Sequence, residues 1–423
     1  MENGDRTILV DSPPGAGKST LVRFVGRRHA SREQAPIVVQ TNDQADDMVR
    51  GLLQDTESGV STFTIGRLLG GKYTPPTDIA THASVMCSSS INDLTDCQIV
   101  VATARKWAMI DLNNSWPFAI VDEAYQMRSD DLLPIGTMMD RLLLVGDPGQ
   151  LAPFTNADDT RFRGRPLSPV ETAASTILHT RPETTRIALP VSWRLPHHAA
   201  QVVSDAFYQV PFTAGTAPGI RQLEIGVPAL RPSASSLALQ NATRTGWGYI
   251  ELDDIIMPQN DPEAIQILAQ LVRDILTSQI QIHDERGSRS LAPDDIAVGV
   301  THRDQRDFVR MATADVLQDL GYQDDAVTVD TANVLQGREF EIVLVWHPLS
   351  GRRDASSFHL DAGRLCVLLS RHRQACIVVS RGGIREQLQS YPSSDPVWLG
   401  ERDPVADGWH AHLTVLDHLQ AHR

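Results

Sequence analysis

The stretch Asp11-Ser12-Pro13-Pro14-Gly15-Ala16-Gly17-Lys18-Ser19-Thr20 follows the apolar run Thr7–Val10 and leads into the apolar pair Leu21-Val22. A short strand, a glycine-bearing loop and a helix start in that order make a phosphate cradle. Backbone N–H groups of the loop and of the helix N-terminus point at phosphate oxygens. Pro14, Gly15, Ala16, Gly17, Lys18, Ser19 and Thr20 line this cradle. Lys18 is placed to reach β- and γ-phosphates and the Ser19 hydroxyl to bind Mg²⁺. Ser12 stands where the strict spacing has a glycine, at the position that closes the strand. Lys18 is also one of only three lysines, with Lys72 and Lys106, against 35 arginines. A compact ammonium suits a phosphate cradle, and a planar guanidinium fork does not replace it.

Working outward, the first 150 residues alternate short apolar strands with helix-like segments. Strands are expected at Thr7–Val10, Ile37–Gln40, Gln98–Ala102, Phe118–Val121 and Leu142–Val145. Each is followed by a polar or glycine-rich turn, the pattern of a parallel sheet with helices on both faces. Functional loops then belong at the carboxyl ends of the strands. The fourth strand runs into Asp122-Glu123, with Asp122 suited to hold Mg²⁺ and Glu123 to polarise a water. The fifth runs into Gly146-Asp147-Pro148-Gly149-Gln150, where the Gln150 amide can both donate to and accept from a phosphate or water.

A second α/β pattern follows. Helical periodicity covers Pro196–Tyr208 and Glu263–Ile282. Strands are expected at Ile296–Val300, Ala326–Val329, Ile342–Trp346 and Ile377–Val379, and the Pro/Gly/Ser-rich stretch from the 210s to the 240s, with Pro211, Pro218, Pro228 and Pro232, reads as loop. The boundaries so drawn are a first domain over residues 1–155 with a small insert at about 46–97, a connector at 156–189, a second domain over 190–385, and a tail at 386–423.

Net charge is −14, which argues against a protein that coats nucleic acid through bulk charge, while leaving room for a local basic channel. No apolar run approaches the ~18 residues that span a bilayer. Met1-Glu2-Asn3-Gly4-Asp5 is not the start of a signal peptide, so a cytoplasmic, membrane-free protein is expected. Cys87, Cys97, Cys366 and Cys376 show no C-x-x-C spacing, and the histidines share no ligand spacing, so no structural zinc is expected.

The quoted cradle, then Val121-Asp122-Glu123-Ala124, then Gly146-Asp147-Pro148-Gly149-Gln150-Leu151-Ala152-Pro153 resemble motifs I, II and III of superfamily 1 helicases. The run from Pro190-Val191-Ser192-Trp193-Arg194 to Phe207-Tyr208 is similar to motif IV of the nonsense-mediated-decay helicase family, subgroup B. Val327–Thr331 with Gln336-Gly337-Arg338-Glu339 resembles motif V. Leu368-Leu369-Ser370-Arg371-His372-Arg373 resembles motif VI, with Ser and His where the family commonly has Thr and Ala. The six motifs run in order from about residue 7 to 380.

The resemblance implies an α/β protein of two tandem RecA-like parallel-sheet domains with an ATP cleft between them, using ATP and Mg²⁺. It implies Arg194 and Arg371 as γ-phosphate contacts, Arg371 as the arginine finger with Arg373 competing for that role. Glu339 would couple ATP state to the second domain, with Gly337 allowing close backbone approach. It further implies single-stranded DNA or RNA bound across Gln40, Thr41 and Thr103 in the first domain, and Thr301, His302, Arg303 and Thr331 in the second. The implied activity is an ATP-dependent helicase or translocase moving 5′-to-3′. The alternative is an ATP-dependent switch that recruits a protein partner without directional movement.

Overall fold

In the computed structural model, residues 5–57, 63–111, 113–153, 162, 171–228, 232–354, 356–390 and 408–422 are described. Among these the chain forms two compact units. The first holds residues 5–148 and 152–189; the second holds Gly149–Leu151 and the chain from Pro190 onward.

The first unit has strands β1 (Thr7–Asp11), β2 (Ala35–Val39), β3 (Ile65–Leu68), β4 (Val85–Ser88), β5 (Ile99–Thr103), β6 (Ala119–Asp122), β7 (Leu142–Gly146) and β8 (Thr185–Ala188). They form one sheet in the order β4-β3-β5-β2-β6-β7-β1-β8, parallel throughout. Its helices are α1 (Lys18–Ala30), α2 (Asn42–Glu57), α3 (Thr77–Ala80), α4 (Ala104–Trp107), α5 (Ser129–Met138) and α6 (Ala173–Thr180). Successive strand residues feed opposite cores, because side chains alternate across a pleated sheet. Leu9, Val38, Val121 and Leu144 pack with Trp107 and Ile135 on one face. Val10, Val39, Ile120 and Val145 pack with Val22 and Val49 on the other. Burial on both faces explains why these strands read as continuous apolar runs.

Residues 46–97 do not form a separate insert. β3 pairs with β5 and β4 with β3, so this stretch extends the sheet by two strands, of which β4 is the edge. Arg67 of β3 is fully buried, and its guanidinium donates to Asp46 Oδ1 at 2.9 Å, Leu68 O at 3.1 Å and Asn42 Oδ1 at 3.0 Å. The connector expected at 156–189 is likewise partly structured. Its residues 154–161 and 163–170 lie outside the described set, but α6 and β8 belong to the first unit, β8 pairing in parallel with β1.

The second unit opens with β9 (Val191–Ser192), α7 (His197–Phe207), β10 (Thr213–Ala214), β11 (Gln222–Glu224) and α8 (Ala234–Thr245). Next come β12 (Trp247–Leu252), α9 (Pro262–Thr277), β13 (Gln281–Asp284), β14 (Gly287–Ser290), β15 (Ile296–Val300) and α10 (Arg303–Asp319). The remainder is β16 (Thr328–Thr331), α11 (Ala332–Leu335), β17 (Phe340–Trp346), α12 (Ser357–Leu360), α13 (Ala362–Leu369), β18 (His372–Arg381), α14 (Ile384–Ser390) and α15 (Gly408–Gln420). The main sheet is parallel, in the order β12-β18-β17-β15-β16. A small antiparallel sheet, β11-β13-β14, and the parallel pair β9-β10 accompany it.

The loop expected from the 210s to the 240s instead carries two short strands, β10 and β11, and the three-turn helix α8. The helix expected through Ile282 stops at Thr277; Gln279 takes a left-handed turn (φ 48°) and β13 begins two residues later. The tail is more than surface covering: Ala411, Val415 and Leu419 of α15 are buried in the same core as α7 and α13. Residues 391–407 lie outside the described set.

Candidate functional site

The cradle is built by the end of β1 and the start of α1. Ser12 N donates to Gly146 O at 2.8 Å and Ala16 N to Pro13 O at 3.1 Å, which closes the turn. Gly15 (φ 70°) and Gly17 (φ 87°) supply the left-handed conformation that lets the chain reverse into the helix. A Cβ on Gly17 would meet nothing within 4 Å, so backbone conformation and not space demands glycine there. The first N–H groups of α1 have no intrahelical partner, and the Gly17 cap supplies no side chain to satisfy them. Ser19 and Thr20 lie exposed beside them. Ser12, at the position where a glycine is usual, is buried with its hydroxyl unpartnered.

Lys18 and Glu123, 105 residues apart along the chain, come together here, with Asp122 beside them. Lys18 Nζ pairs with Glu123 Oε1, the two side chains only 16% and 14% exposed. Burial alone would lower the lysine's pKa, but Glu123, Asp122 and Asp147 outweigh it and hold the ammonium above its ordinary value. Burial, with Glu123 adding to it and Lys18 opposing, pushes the Asp122 carboxyl up to about 6. Glu123 takes a left-handed backbone (φ 56°), a strain of roughly 1–2 kcal/mol for a residue with a Cβ. Its second oxygen, Oε2, is buried without a partner.

An orphaned carboxylate oxygen among three acids and one lysine is a site short of positive charge, and the exposed Ser19 hydroxyl adds a neutral oxygen donor. That donor set fits Mg²⁺, which binds through one or two protein oxygens and fills its shell with phosphates and water. Among the described residues no three His, Cys, Asp or Glu side chains are grouped to hold a metal ion by themselves.

A buried trio beneath the cradle was not legible in the sequence. Tyr125 Oη donates to Asp11 Oδ1 at 2.8 Å, and Arg186 of β8 pairs with Asp11 Oδ2. Burial raises the Asp11 pKa against the opposing pull of Arg186 and Tyr125. No motif spacing announces this trio, because Arg186 is 175 residues from its partner.

The expected nucleic-acid residues gather at two sheet edges. In the first unit, Thr103 ends β5 beside Val39, so Gln40, Thr41 and Thr103 share the carboxyl edge. Gln44 Oε1 accepts from Gln40 N at 3.0 Å and Thr41 N at 3.1 Å, capping α2. Gln40 Nε2 donates to Asp122 O at 2.9 Å, tying this edge to the acid pair. In the second unit, Thr331 ends β16 beside Val300, bringing Thr301, His302, Arg303 and Thr331 to one edge. There Gln305 Oε1 accepts from Thr301 N at 3.2 Å and His302 N at 3.1 Å. The two edges carry the same cap, a glutamine accepting from two successive strand-end amides. Arg303 is exposed, and the buried Thr301 hydroxyl has no partner. His302 Nε2 lies 2.9 Å from His359 Nε2.

The remaining predicted residues lie in the second unit. Gln150 accepts from Gln336 Nε2 at 2.8 Å. Gly337 has φ 85°, in open space. Arg194 Nε donates to Glu339 Oε1 at 2.7 Å. Partial burial would raise the Glu339 pKa, but Arg194, then Arg373 and Arg371, hold the carboxyl below its ordinary range. Arg371 is fully buried and donates to Val367 O at 3.1 Å and Ser370 Oγ at 2.7 Å. Arg373 sits 3.6–3.7 Å from carboxylate oxygens of Asp284, Glu285, Glu339 and Glu341.

Two parallel-sheet α/β units, the first with a phosphate cradle and an acid pair at adjoining strand ends, define a P-loop protein of two RecA-like domains. A family model described as an AAA domain matches residues 1–159, and a second one, also described as an AAA domain, matches residues 174–382. The two matches together span most of the chain, which is thus similar to AAA-type P-loop proteins along both units. No curated protein sequence matches it. Among solved structures it is similar to the arterivirus nonstructural protein 10 helicase, at 15% identity and a TM-score of 0.46, over 88% of this chain and 59% of that one. The same arterivirus helicase in complex with DNA gives 15% identity and 0.47, over 89% and 61%. The DUF1998 helicase MrfA bound to DNA gives 11% and 0.48, over 100% and 50%. The chain thus spans about three fifths of the length of the arterivirus helicase.

Proposed function

We propose that this protein hydrolyses ATP to drive movement along single-stranded DNA or RNA, in the 5′-to-3′ direction. The observation that carries the reading is the convergence of Lys18, Asp122 and Glu123 at the cradle, with Glu123 Oε2 buried and unsatisfied. In this reading Pro14 to Thr20 hold the phosphates, with Lys18 on the β- and γ-phosphates. Ser19 and Asp122 hold Mg²⁺, which when bound neutralises phosphate charge. Glu123 accepts a proton from the attacking water once a phosphate has drawn Lys18 away from it. Gln150 orients that water or the γ-phosphate.

The second unit supplies cations to the γ-phosphate through Arg194 and Arg371, with Gly337 and Glu339 responding to its presence. Arg371 is taken as the finger, with Arg373, which faces four carboxylates, competing for that role. Gln40, Thr41, Thr103, Thr301, His302, Arg303 and Thr331 bind backbone phosphates of the strand without reading bases.

The test is ATP hydrolysis measured alone and with single-stranded DNA, single-stranded RNA and duplex, followed by displacement of a labelled strand from substrates of either polarity. Stimulation by a single strand with displacement in one direction is expected. Hydrolysis indifferent to every nucleic acid would overturn the reading. ATP-dependent capture of a protein partner without directional movement would favour a switch instead.

A further inference from the structure

We propose that Arg221 is a positioning residue for Arg194, and that Glu285, at the turn of the β13–β14 hairpin, holds Arg221 in place. The inference rests on the reading of Arg194 as a γ-phosphate contact and adds two residues outside all six motifs.

The chain between β9 and α7 lacks a ladder of its own. Ser192 O accepts from Gly215 N at 2.7 Å and Ser192 Oγ from Leu195 N at 3.1 Å, but the carbonyls of Trp193 and Arg194 fall between strand and helix. Neither carbonyl belongs to a strand or helix ladder, so what they accept from sets the path of the chain here. Arg221 supplies the donors: Nη2 donates to Trp193 O at 2.8 Å and Nη1 to Arg194 O. The same guanidinium donates through Nε to Glu285 Oε1 at 2.9 Å, and its side chain is only 4% exposed. One planar fork thus fixes two successive peptides and is itself fixed by a carboxylate, which a lysine's single point of charge does not reproduce.

Glu285 is well secured. Partial burial would raise its pKa, but hydrogen bonds from Arg221, its own backbone and Thr216 push it down to about 2. Thr216 Oγ1 donates to Oε1 at 2.9 Å. The other carboxylate oxygen faces Arg373 at 3.6 Å, Arg373 faces Glu339 at 3.7 Å, and Glu339 accepts from the Arg194 side chain. The contacts close a ring, from the Arg194 side chain through Glu339, Arg373, Glu285 and Arg221 to the Arg194 backbone. Arg194 is held at both ends, its side chain by Glu339 and its peptide by Arg221. When its side chain leaves Glu339 for a phosphate, Arg221 keeps the point of attachment fixed, so the reach of the guanidinium is set in advance. Pre-set geometry of this kind is worth about 10²-fold in rate for a displacement of the order of 1 Å.

The discriminating readout is the affinity for a non-hydrolysable ATP analogue divided by that for ADP, which isolates the γ-phosphate. The full chain is measured as wild type, Arg194→Ala, Arg221→Lys and Glu285→Gln, with kcat and KM for ATP alongside. Arg194→Ala should collapse the ratio. Arg221→Lys should lower the ratio by about tenfold and kcat by about ten- to a hundredfold, with ADP affinity unchanged. Glu285→Gln, which keeps one acceptor on an exposed turn, should fall between Arg221→Lys and wild type, and it decides the matter if Arg221→Lys does not fold. A ratio kept by both variants but lost in Arg194→Ala overturns the positioning role alone. A ratio kept in Arg194→Ala overturns the reading of Arg194 and the positioning role with it.

Discussion

In the cradle, the residue proposed to activate water is paired with the lysine proposed to bind phosphate. Glu123→Gln tests both assignments at once. Gln has the shape of Glu and bears the same left-handed backbone strain, so the fold should be kept, with a melting temperature lower by only a few degrees. A hydrogen bond between charged groups is worth about 1.5–3 kcal/mol, and both side chains here are largely buried. The substituted side chain would still accept from Lys18 as a neutral amide, so the lower half of that range is lost. At 1.4 kcal/mol per factor of ten, ATP should bind about tenfold tighter. Turnover should fall by about 10²–10⁴-fold, the usual weight of a general base. The assay is single-turnover hydrolysis paired with titration of a fluorescent ATP analogue. Wild-type turnover in the variant would remove Glu123 from the role of base. Lost turnover with unchanged or weaker ATP binding would show that the Lys18–Glu123 pair does not compete with phosphate.

Three further outcomes are expected. Arg67→Met should cost about 3–5 kcal/mol in denaturant unfolding, because Asp46 is left buried and charged, and adding Asp46→Leu should restore most of that loss. Gly17→Ala should weaken nucleotide binding through backbone strain of about 1 kcal/mol, without a steric clash, so a near-normal melting curve with reduced ATP affinity is the expected pair of results. Acid should destabilise the second unit. Burial above all, with neighbouring histidines and, for His359, Arg352 adding to it, depresses His198, His359 and His418 to about 4, and burial depresses His412 to about 3, from an ordinary 6.5. These groups are stable neutral in the fold, so their contribution is whole above pH 6.5 and is lost as pH falls through the folded values. Circular dichroism melts should fall in temperature from about pH 6 downward; a flat profile to pH 4 would contradict the assignment.

The sheet strands readable from sequence are those buried on both faces. Leu142–Val145 and Ile296–Val300 are uninterrupted apolar runs and lie where the pattern puts them. Strands toward the two ends of the first sheet are not readable, for a physical reason. β3 carries Arg67 and β8 carries Arg186, charges that look solvent-bound until their partners Asp46 and Asp11 are seen. The cradle, the acid pair and the strand-end threonines were legible because each sits within a few residues of a strong strand signal. Arg221 and Glu285 were not, because one lies in a stretch that reads as loop and the other on a hairpin turn 64 residues away. The glutamine caps at Gln44 and Gln305 follow a common spacing, four residues after Gln40 and Thr301, but the repeat is too short to see without the two strand ends side by side.

The placement of β8 has a mechanical consequence. It runs parallel to β1 with Ala188 opposite Asp11, and Leu189 N donates to Asp11 O at 2.8 Å. The next residue, Pro190, begins the second unit. The covalent route out of the first unit at this point therefore leaves from beside the residue that anchors the phosphate loop. Tension at Pro190 directed along β8 would load the β1–β8 hydrogen bonds in shear, sharing force along the strand instead of peeling the bonds one at a time. It also arrives, through Asp11 and its Arg186 clamp, at the root of the loop that ends in Lys18. The linker is thus a tether whose strain the loop can feel directly.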